Sequence, residues 1–349
     1  MIDVVEEGPA AVVSPRARRG RDLTVLLAFV GLLAVLAVAS IAIGSRALSP
    51  GMVVDALFSP SSAPADVVGI VRDLRIPRTV LGILVGLAIG AAGALAQAHT
   101  RNPLADPGLL GVNAGAACAV VAGVYLLGIT APIEYMGFGL LGAMIAAGLV
   151  FGTSALTRGA SPLTLVLAGT GLSAMLLAIT SAIVLTDTAS LDAWRFWNVG
   201  SVVGRGTDVI WAATPFIAAG LLLALGSGFF LNVLSLGDDM SRSLGSRIVT
   251  VRIVGIAAIT LLAGAATAAC GPIVFLGLVV PHLARAVVGP DYRWIVPYSA
   301  VLGAILLVAS DVIGRVIARP AEIQVGIVLA VVGAPMLIKL VRSRRLVAV

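Results

Sequence analysis

Long apolar runs separated by short polar segments make up most of this chain of 349 residues. A helix of roughly 20 apolar residues crosses the ~30 Å hydrocarbon core of a bilayer, and most of the runs are about that long. We therefore predict ten transmembrane helices, at residues 23–43, 79–98, 108–128, 136–156, 163–186, 209–230, 248–269, 275–288, 296–317 and 323–341. The eighth run is short and contains Pro281, so nine or eleven spans remain alternatives.

The polar segments between the runs predict where the chain leaves the bilayer. Residues 1–21 are predicted to form a disordered cytoplasmic tail, and residues 22–349 a single ten-span transmembrane domain. Residues 46–77 are expected to be an external loop, and the aromatic residues around Trp194 indicate a short interfacial helix within residues 187–208. In the second span Gly82, Gly86 and Gly90 recur at a spacing typical of a closely packed helix face.

Residues 231–247, LNVLSLGDDMSRSLGSR, form a polar island between two apolar runs. A short helix over 231–236 is predicted to break at Gly237 and to be followed by a second short helix. Met240 and Leu244 lie four residues apart, on one face of that second helix. We expect this segment to dock into another protein, although a solvated connecting loop is the alternative. The candidate docking residues are Leu236, Gly237, Asp238, Asp239, Met240, Arg242, Leu244 and Gly245.

Composition supports a polytopic all-α membrane protein. Hydrophobic residues make up 59% of the chain and charged residues only 11%, whereas a soluble protein carries about 25% charged residues. The net charge of +6 reflects topology, because 15 of the 23 basic residues fall on the side predicted to hold both termini, the cytoplasmic side. Lys339 is the only lysine and is followed by Leu340, so the chain lacks the Lys-Ser or Lys-Thr of a Walker A loop.

The potential metal ligands do not form a motif. Cys118 and Cys270 lie in apolar runs and are expected to be packing residues. His99 and His282 have no cysteine or second histidine nearby, and a packing role with one hydrogen bond is favoured for His282. We therefore predict no metal site in this chain.

A few polar residues within or beside the spans are candidates for a transport role. Asp311 precedes Arg315 by four residues, which favours a structural ion pair over a coupling-ion site. Gln97 and Asn113 either line a pathway or form hydrogen bonds between helices. Arg75, Arg78 and Arg315 flank the external side, where exposed arginines would attract the carboxylates of an acidic partner; interfacial anchoring is the alternative.

Several long stretches resemble one family of membrane proteins, the FecCD-type permeases of bacterial ABC importers for ferric siderophores, haem and cobalamin. The similar stretches are RIPRTVLGILVGLAIGAAGALAQ (75–97), RNPLADPGLLGVNAGA (101–116), LSLGDDMSRSLG (234–245), GPIVFLGLVVPHLAR (271–285) and the C-terminal SDVIGR and GIVLAVVGAPMLIKLVR. The resemblance covers nearly the whole chain after the tail. In detail, these stretches are most similar to those of the permeases for ferric-catecholate siderophores.

The resemblance implies a type II importer permease in the bacterial plasma membrane. Two cytoplasmic ATPases would bind residues 231–247, with ATP and magnesium held by those partners and no cofactor held by this chain. A substrate-binding protein would dock at Arg75 and Arg315, and a second permease would complete the pathway, a heterodimer being favoured over a homodimer. A haem or cobalamin permease and an ATPase-independent secondary transporter remain the alternatives.

Overall fold

The structure, a computed structural model, describes residues 15–156, 162–243 and 247–342. Within these residues the chain is helical and contains no strand. The α-helices are α1 (Pro15–Ala42), α2 (Pro50–Phe58), α3 (Ala65–Val68), α4 (Ile76–Thr100), α5 (Val112–Leu127), α6 (Pro132–Leu156), α7 (Pro162–Thr186), α8 (Thr188–Asn198), α9 (Thr207–Ser235), α10 (Asp238–Ser243), α11 (Ile248–Cys270), α12 (Leu276–Val288), α13 (Tyr292–Ile317) and α14 (Val325–Arg342).

The number of apolar segments confirms the predicted architecture. Seven helices of the described part of the chain are long and apolar enough to cross a membrane, and three shorter apolar helices, α5, α12 and α14, supply the rest. The short eighth span corresponds to α12, which has 13 residues and would extend over only about 20 Å. Of the predicted tail, residues 1–14 lie outside the described residues, whereas residues 15–21 are the first turns of α1.

Residues 50–58 and 65–77 are helical, so the prediction that 46–77 form a loop is wrong for most of the segment, while its external position stays a prediction. Ser49 caps α2 by accepting a hydrogen bond from the Met52 amide (3.3 Å), and Pro50 occupies the first turn, where its missing N–H is harmless. Further on, a π-helical stretch (Gly69–Arg75) joins α3 to α4 without a break. The apolar side chains that this region buries together are Val53, Ala56, Val67 and Val71. This packing orders a segment whose local composition resembles a loop.

The most extensive helix pair joins α4, the most deeply buried of the long apolar helices, to α13. A Cβ atom on Gly86 would collide with the backbone of Ala304, and one on Gly90 would collide with the carbonyl of Ser299. The predicted close-packing face of α4 is therefore confirmed at these positions. Such close approach lets two backbones gain van der Waals contact that larger side chains would prevent.

The helices divide the molecule into two ends, named here by the short helix that each contains. The α10 end holds the last turn of α9, α10, and the start of α13. The α8 end holds α8, the C-terminal half of α13, and the segment between α13 and α14. Candidate functional residues occur at both ends.

Candidate functional site

At the α10 end, the polar island contains the last turn of α9 and the short helix α10, which contacts that turn. Residues 231–235 complete α9, so the separate helix predicted over 231–236 is its final turn, while Gly237 breaks the helix as predicted, with a φ of +103°. The Ser241 hydroxyl lies within hydrogen-bonding distance of the Val233 carbonyl (2.7 Å) and the Gly237 carbonyl (2.6 Å). Sequence reasoning missed Ser241, whose only signal is a serine four residues after the helix-breaking glycine.

The surface of the α10 segment is both apolar and charged. Leu236 and Met240 are 60% and 54% exposed, although both are large hydrophobic residues. Arg242 and Asp239 form an exposed pair at 3.6 Å, which contributes little to stability. Leu244 and Gly245 lie outside the described residues, so a shared helix face of Met240 and Leu244 stays a prediction.

A chain of polar contacts leads from the end of α9 to the start of α13. The Asn232 side-chain Nδ2 donates to the Asp291 carboxylate (2.7 Å), and its Oδ1 accepts from the backbone N–H of Tyr292 (2.8 Å). Partial burial disfavours the charged form of Asp291, but hydrogen bonds from Arg293 and Asn232 outweigh it and lower the pKa of this carboxyl to about 2. The junction is therefore held by an ionised carboxylate at neutral pH.

The same contacts continue from α13 to α12 and α4. Arg285 donates to the Tyr292 hydroxyl (3.1 Å) and to the side-chain Oε1 of Gln97 (2.7 Å). The buried Gln97 also donates to the carbonyl of Leu278 (3.1 Å). Of the two roles considered for Gln97, the structure shows a hydrogen bond between helices.

Asn113 and His282 also bond between segments. Asn113 accepts a hydrogen bond from the Thr267 hydroxyl (2.9 Å), which joins α5 to α11. The Nε2 atom of His282 donates to the Pro103 carbonyl (2.9 Å), as expected for a packing histidine with one hydrogen bond. Among the described residues, no group of three His, Cys, Asp or Glu side chains could hold a metal ion.

At the α8 end, Asp311 is shared by two arginines. Arg315 pairs with it from one turn away, as predicted, and also donates to the Ser40 carbonyl (2.8 Å) and hydroxyl (3.0 Å) of α1. Arg78 of α4 donates to the same carboxylate through Nη2 (2.7 Å) and Nε. Sequence reasoning missed the Arg78 contact because its partner lies 233 positions away along the chain.

Arg78 also binds Glu322, in the segment between α13 and α14. The Nη1 to Oε2 distance is 2.5 Å. Burial alone would raise the pKa of Glu322, but the hydrogen bond and charge of Arg78 hold it below its usual range. The cluster thus ties α1, α4, α13 and the following segment together through ionised groups.

Arg75 is held differently, by backbone carbonyls alone. Its guanidinium donates to the carbonyls of Ile41 (2.9 Å), Ala42 (2.7 Å) and Arg46 (2.6 Å) and lies directly against Gly44, where a Cβ would have no room. Within the described part of the chain, no carboxylate forms an ion pair with Arg75. Its positive charge is therefore left without direct neutralisation.

All three arginines predicted to meet a partner line one cavity of about 510 Å³ at the α8 end. The expectation that they are exposed is wrong for Arg75 and Arg315, which are 5% and 1% exposed because carbonyls and Asp311 hold their guanidinium groups inside. The cavity, called here the arginine cavity, is lined by more cations than anions. Its charged residues are Arg46, Asp73, Arg75, Arg78, Arg205, Arg315 and Glu322.

The bundle of apolar helices, with polar contacts at its two ends, is that of a multi-pass membrane protein. A solved structure described as an inward-facing conformation of a metal-chelate type ABC transporter matches with a TM-score of 0.82 and 26% identity, over 92% of this chain and 99% of that one. Residues 32–343 match the FecCD transport family. This chain belongs to that family and is a transporter permease of the inner membrane.

Two relatives illustrate the similarity. The ferric enterobactin transport system permease protein FepD of Escherichia coli is 44% identical over 327 residues, 92% of this chain and 97% of that protein. The probable siderophore transport system permease protein YfiZ of Bacillus subtilis is 41% identical over 274 residues, 78% of this chain and 82% of that protein. Transporters of this kind work with ATPase and substrate-binding partners.

Removing the shared carboxylate should destabilise the protein far more than removing an exposed one. In Asp311→Asn two buried guanidinium groups would lose their common counter-charge, which we expect to cost about 3–5 kcal/mol. In the matched variant Asp66→Asn, the lost partner is Arg46 in an exposed pair at 2.8 Å, worth about 0–1 kcal/mol. The free energy of unfolding in detergent micelles checks both values. Equal losses in the two variants would contradict a central role for Asp311.

Proposed function

We propose that this chain is the permease subunit of an ATP-driven importer and forms the translocation path for an iron–siderophore complex. In this proposal the α10 end faces the cytoplasm and the α8 end faces outward, so that both termini are cytoplasmic. The excess of basic residues on the α10 side supports this orientation. The observation that carries the proposal is the exposed apolar surface of the α10 segment, on a short helix that Ser241 ties to the end of α9.

The α10 segment would receive the ATPases. Leu236 and Met240 are exposed apolar residues at a polar end of the bundle, and such side chains are typical anchors for a protein partner. Ser241 fastens α10 to α9, and Asn232 joins α9 to Asp291 ahead of α13. A displacement of α10 by ATP-driven closure of the partner would therefore move α9 and α13 together, as rigid-body transitions require.

The proposed cargo is a ferric siderophore. The similarity to proteins named for siderophore and ferric enterobactin transport supports this class. A siderophore itself holds the iron, so the permease needs no metal ligands, while ATP and magnesium would be held by the two partner ATPases. Transport of haem or cobalamin by the same kind of assembly is the alternative.

An ATPase-independent secondary transporter is a weaker candidate. Such a transporter needs an ionisable group that binds a coupling ion within the membrane. Asp311 is the best acid for this purpose in the sequence, but Arg78 and Arg315 already neutralise it. The observed pairing therefore favours a structural role for Asp311.

The arginine cavity would receive an acidic binding protein. Arg75 supports this because its charge is buried against carbonyls without a carboxylate partner. An incoming carboxylate would supply that counter-charge in a site partly shielded from water, where charge attraction is stronger than at an open surface. Arg78 and Arg315 add little net charge to the cavity, because Asp311 and Glu322 neutralise them.

Replacing Met240 with Asp should uncouple ATP hydrolysis from uptake. Burying a new carboxylate in an apolar contact costs about 2 kcal/mol or more, equivalent to roughly thirtyfold weaker ATPase binding. Uptake of ⁵⁵Fe-labelled ferric enterobactin into cells or proteoliposomes that contain the complete complex provides the measurement, with Met240→Leu as the matched control that keeps the apolar contact. Wild-type uptake by the Asp variant would contradict docking at α10. Absence of ferric enterobactin uptake by the wild type, together with uptake of labelled cobalamin or haem, would favour the alternative cargo.

Native mass spectrometry of the complex from its own membranes should show two ATPase chains, one copy of this chain and a second, related permease. This result would support the favoured heterodimer. Two copies of this chain with two ATPases would establish a homodimer instead. Absence of an ATPase even after cross-linking would contradict the importer.

Replacing Arg75 with Gln should weaken docking of the binding protein about 5- to 30-fold at low ionic strength, with a smaller effect at high salt because the attraction is then screened. The matched control is Arg72→Gln, which removes another arginine that donates only to backbone carbonyls, those of Ala56 and Leu57, but does not line the arginine cavity. Binding of the purified binding protein to nanodisc-embedded complex is the measurement. Equal affinities for the two variants would argue against Arg75 as a docking residue.

A further inference from the structure

A second cavity at the α8 end collects buried polar atoms that have no hydrogen-bond partner. In the described part of the chain, Trp197 Nε1, Arg205 Nε and Gln324 Oε1 are buried without a partner, and all three residues line this cavity of about 470 Å³. Leaving such an atom unpaired is unfavourable, because it has given up water without gaining a partner in the protein. Trp197 Nε1 and Arg205 Nε are donors, whereas Gln324 Oε1 is an acceptor, so a ligand that completes this site must accept two hydrogen bonds and donate one.

The walls of this cavity come from separate elements of the fold. Tyr135 lies in the first turn of α6, and Phe196 and Trp197 lie in α8. Arg205 lies in the segment before α9, and Gln324 is the residue before α14. We call it the aromatic cavity. Three aromatic side chains thus surround one cation and one amide.

Close backbone contacts hold these groups in place. The Ser201 amide donates to the Cys270 carbonyl (2.7 Å), and the Gly326 amide donates to the Gly200 carbonyl (3.1 Å). Gly271 lies so close to the Trp197 carbonyl that a Cβ would collide with it. Trp197 is only 2% exposed, so its side chain is held in position by the surrounding protein. The segments that carry the unpaired atoms are therefore held in place by backbone contacts.

The chemistry of the aromatic cavity selects an anionic, oxygen-rich ligand. An indole N–H can only donate, and the guanidinium of Arg205 donates and carries a positive charge. Asp192 at the edge is paired with Arg195 at 2.9 Å, which offsets its negative charge. Aromatic faces favour flat or apolar groups. A ligand that combines negatively charged oxygens with planar rings, and that also carries an N–H or O–H donor for Gln324 Oε1, fits this combination.

Arg205 and Val203 line both this cavity and the arginine cavity. The two cavities are therefore neighbours, and Arg205 stands between the surface proposed for the binding protein and the aromatic walls. A cargo released by a protein docked at the arginine cavity would meet the aromatic cavity next.

We propose that the aromatic cavity is a cargo-binding site of the permease, in which Trp197 and Arg205 donate hydrogen bonds to the anionic oxygens of a ferric chelate. The proposal rests on the iron–siderophore function given above. It assigns the permease itself a part in recognising the chelate, in addition to the binding protein.

Equilibrium binding of ⁵⁵Fe-labelled ferric enterobactin to the nucleotide-free complex in nanodiscs, without binding protein, tests the site. Trp197→Phe keeps the ring but removes the donor, and should weaken binding about threefold to tenfold. Gln324→Glu places a negative charge beside the anionic chelate and should weaken binding about tenfold or more. The matched control Trp211→Phe alters a tryptophan that is 75% exposed on α9 and should bind like the wild type.

Thermal unfolding confirms that each variant is folded, and wild-type ATP-driven uptake of the same probe is measured first. Absence of wild-type uptake would overturn the proposed function, and the cargo site with it. Normal wild-type uptake, combined with no binding above empty nanodiscs or with equal binding by all variants, would overturn the cargo site alone. Weaker docking of the cargo-free binding protein in Trp197→Phe and Gln324→Glu, with chelate binding unchanged, would assign the cavity to that protein and overturn the proposal.

Discussion

The close backbone contact between α4 and α13 is the constraint on which both ends of the molecule depend. Gly86 and Gly90 let the two helices approach until the α4 backbone contacts the backbone of Ala304 and Ser299 in α13. Within hydrocarbon, helices gain little from hydrophobic burial against one another, so packing at short distance has to hold them together. The same contact sets the positions of the polar residues at the ends of α4.

At each end, α4 carries a side chain that meets a buried arginine or acid of another helix. Gln97 receives a hydrogen bond from Arg285 at the α10 end, and Arg78 binds Asp311 at the α8 end. These contacts have short donor–acceptor distances and would be lost if the helices moved apart by more than about an ångström. A displacement at one end is thus transmitted along two stiff, closely packed helices. This is the property that a permease driven from one side of the membrane needs.

The two ends differ in how their charges are satisfied. At the α10 end Asp291 has its partners in Asn232 and Arg293, and the exposed surface is that of α10. At the α8 end, Arg75 has no carboxylate partner for its charge, and the Nε donor of Arg205 has no hydrogen-bond partner. Both arginines line the arginine cavity. One end therefore offers an apolar contact surface, whereas the other offers unmet positive charge. The proposed partners, an ATPase and an acidic binding protein with its anionic cargo, follow from that difference.

Local sequence determined the helical class, the ten apolar segments and the glycine face of α4. It also determined the break at Gly237 and the pair of Asp311 with Arg315. Each of these features depends on hydropathy or on residues within one or two helical turns. Only the tertiary structure decided that residues 50–58 and 65–77 are helical, that Arg75 and Arg315 are buried, and that Trp197, Arg205 and Gln324 surround one cavity. These features arise from contacts between residues far apart in the chain. Burial and hydrogen bonding depend on which helices become neighbours, and that arrangement has no local signal in the order of the amino acids.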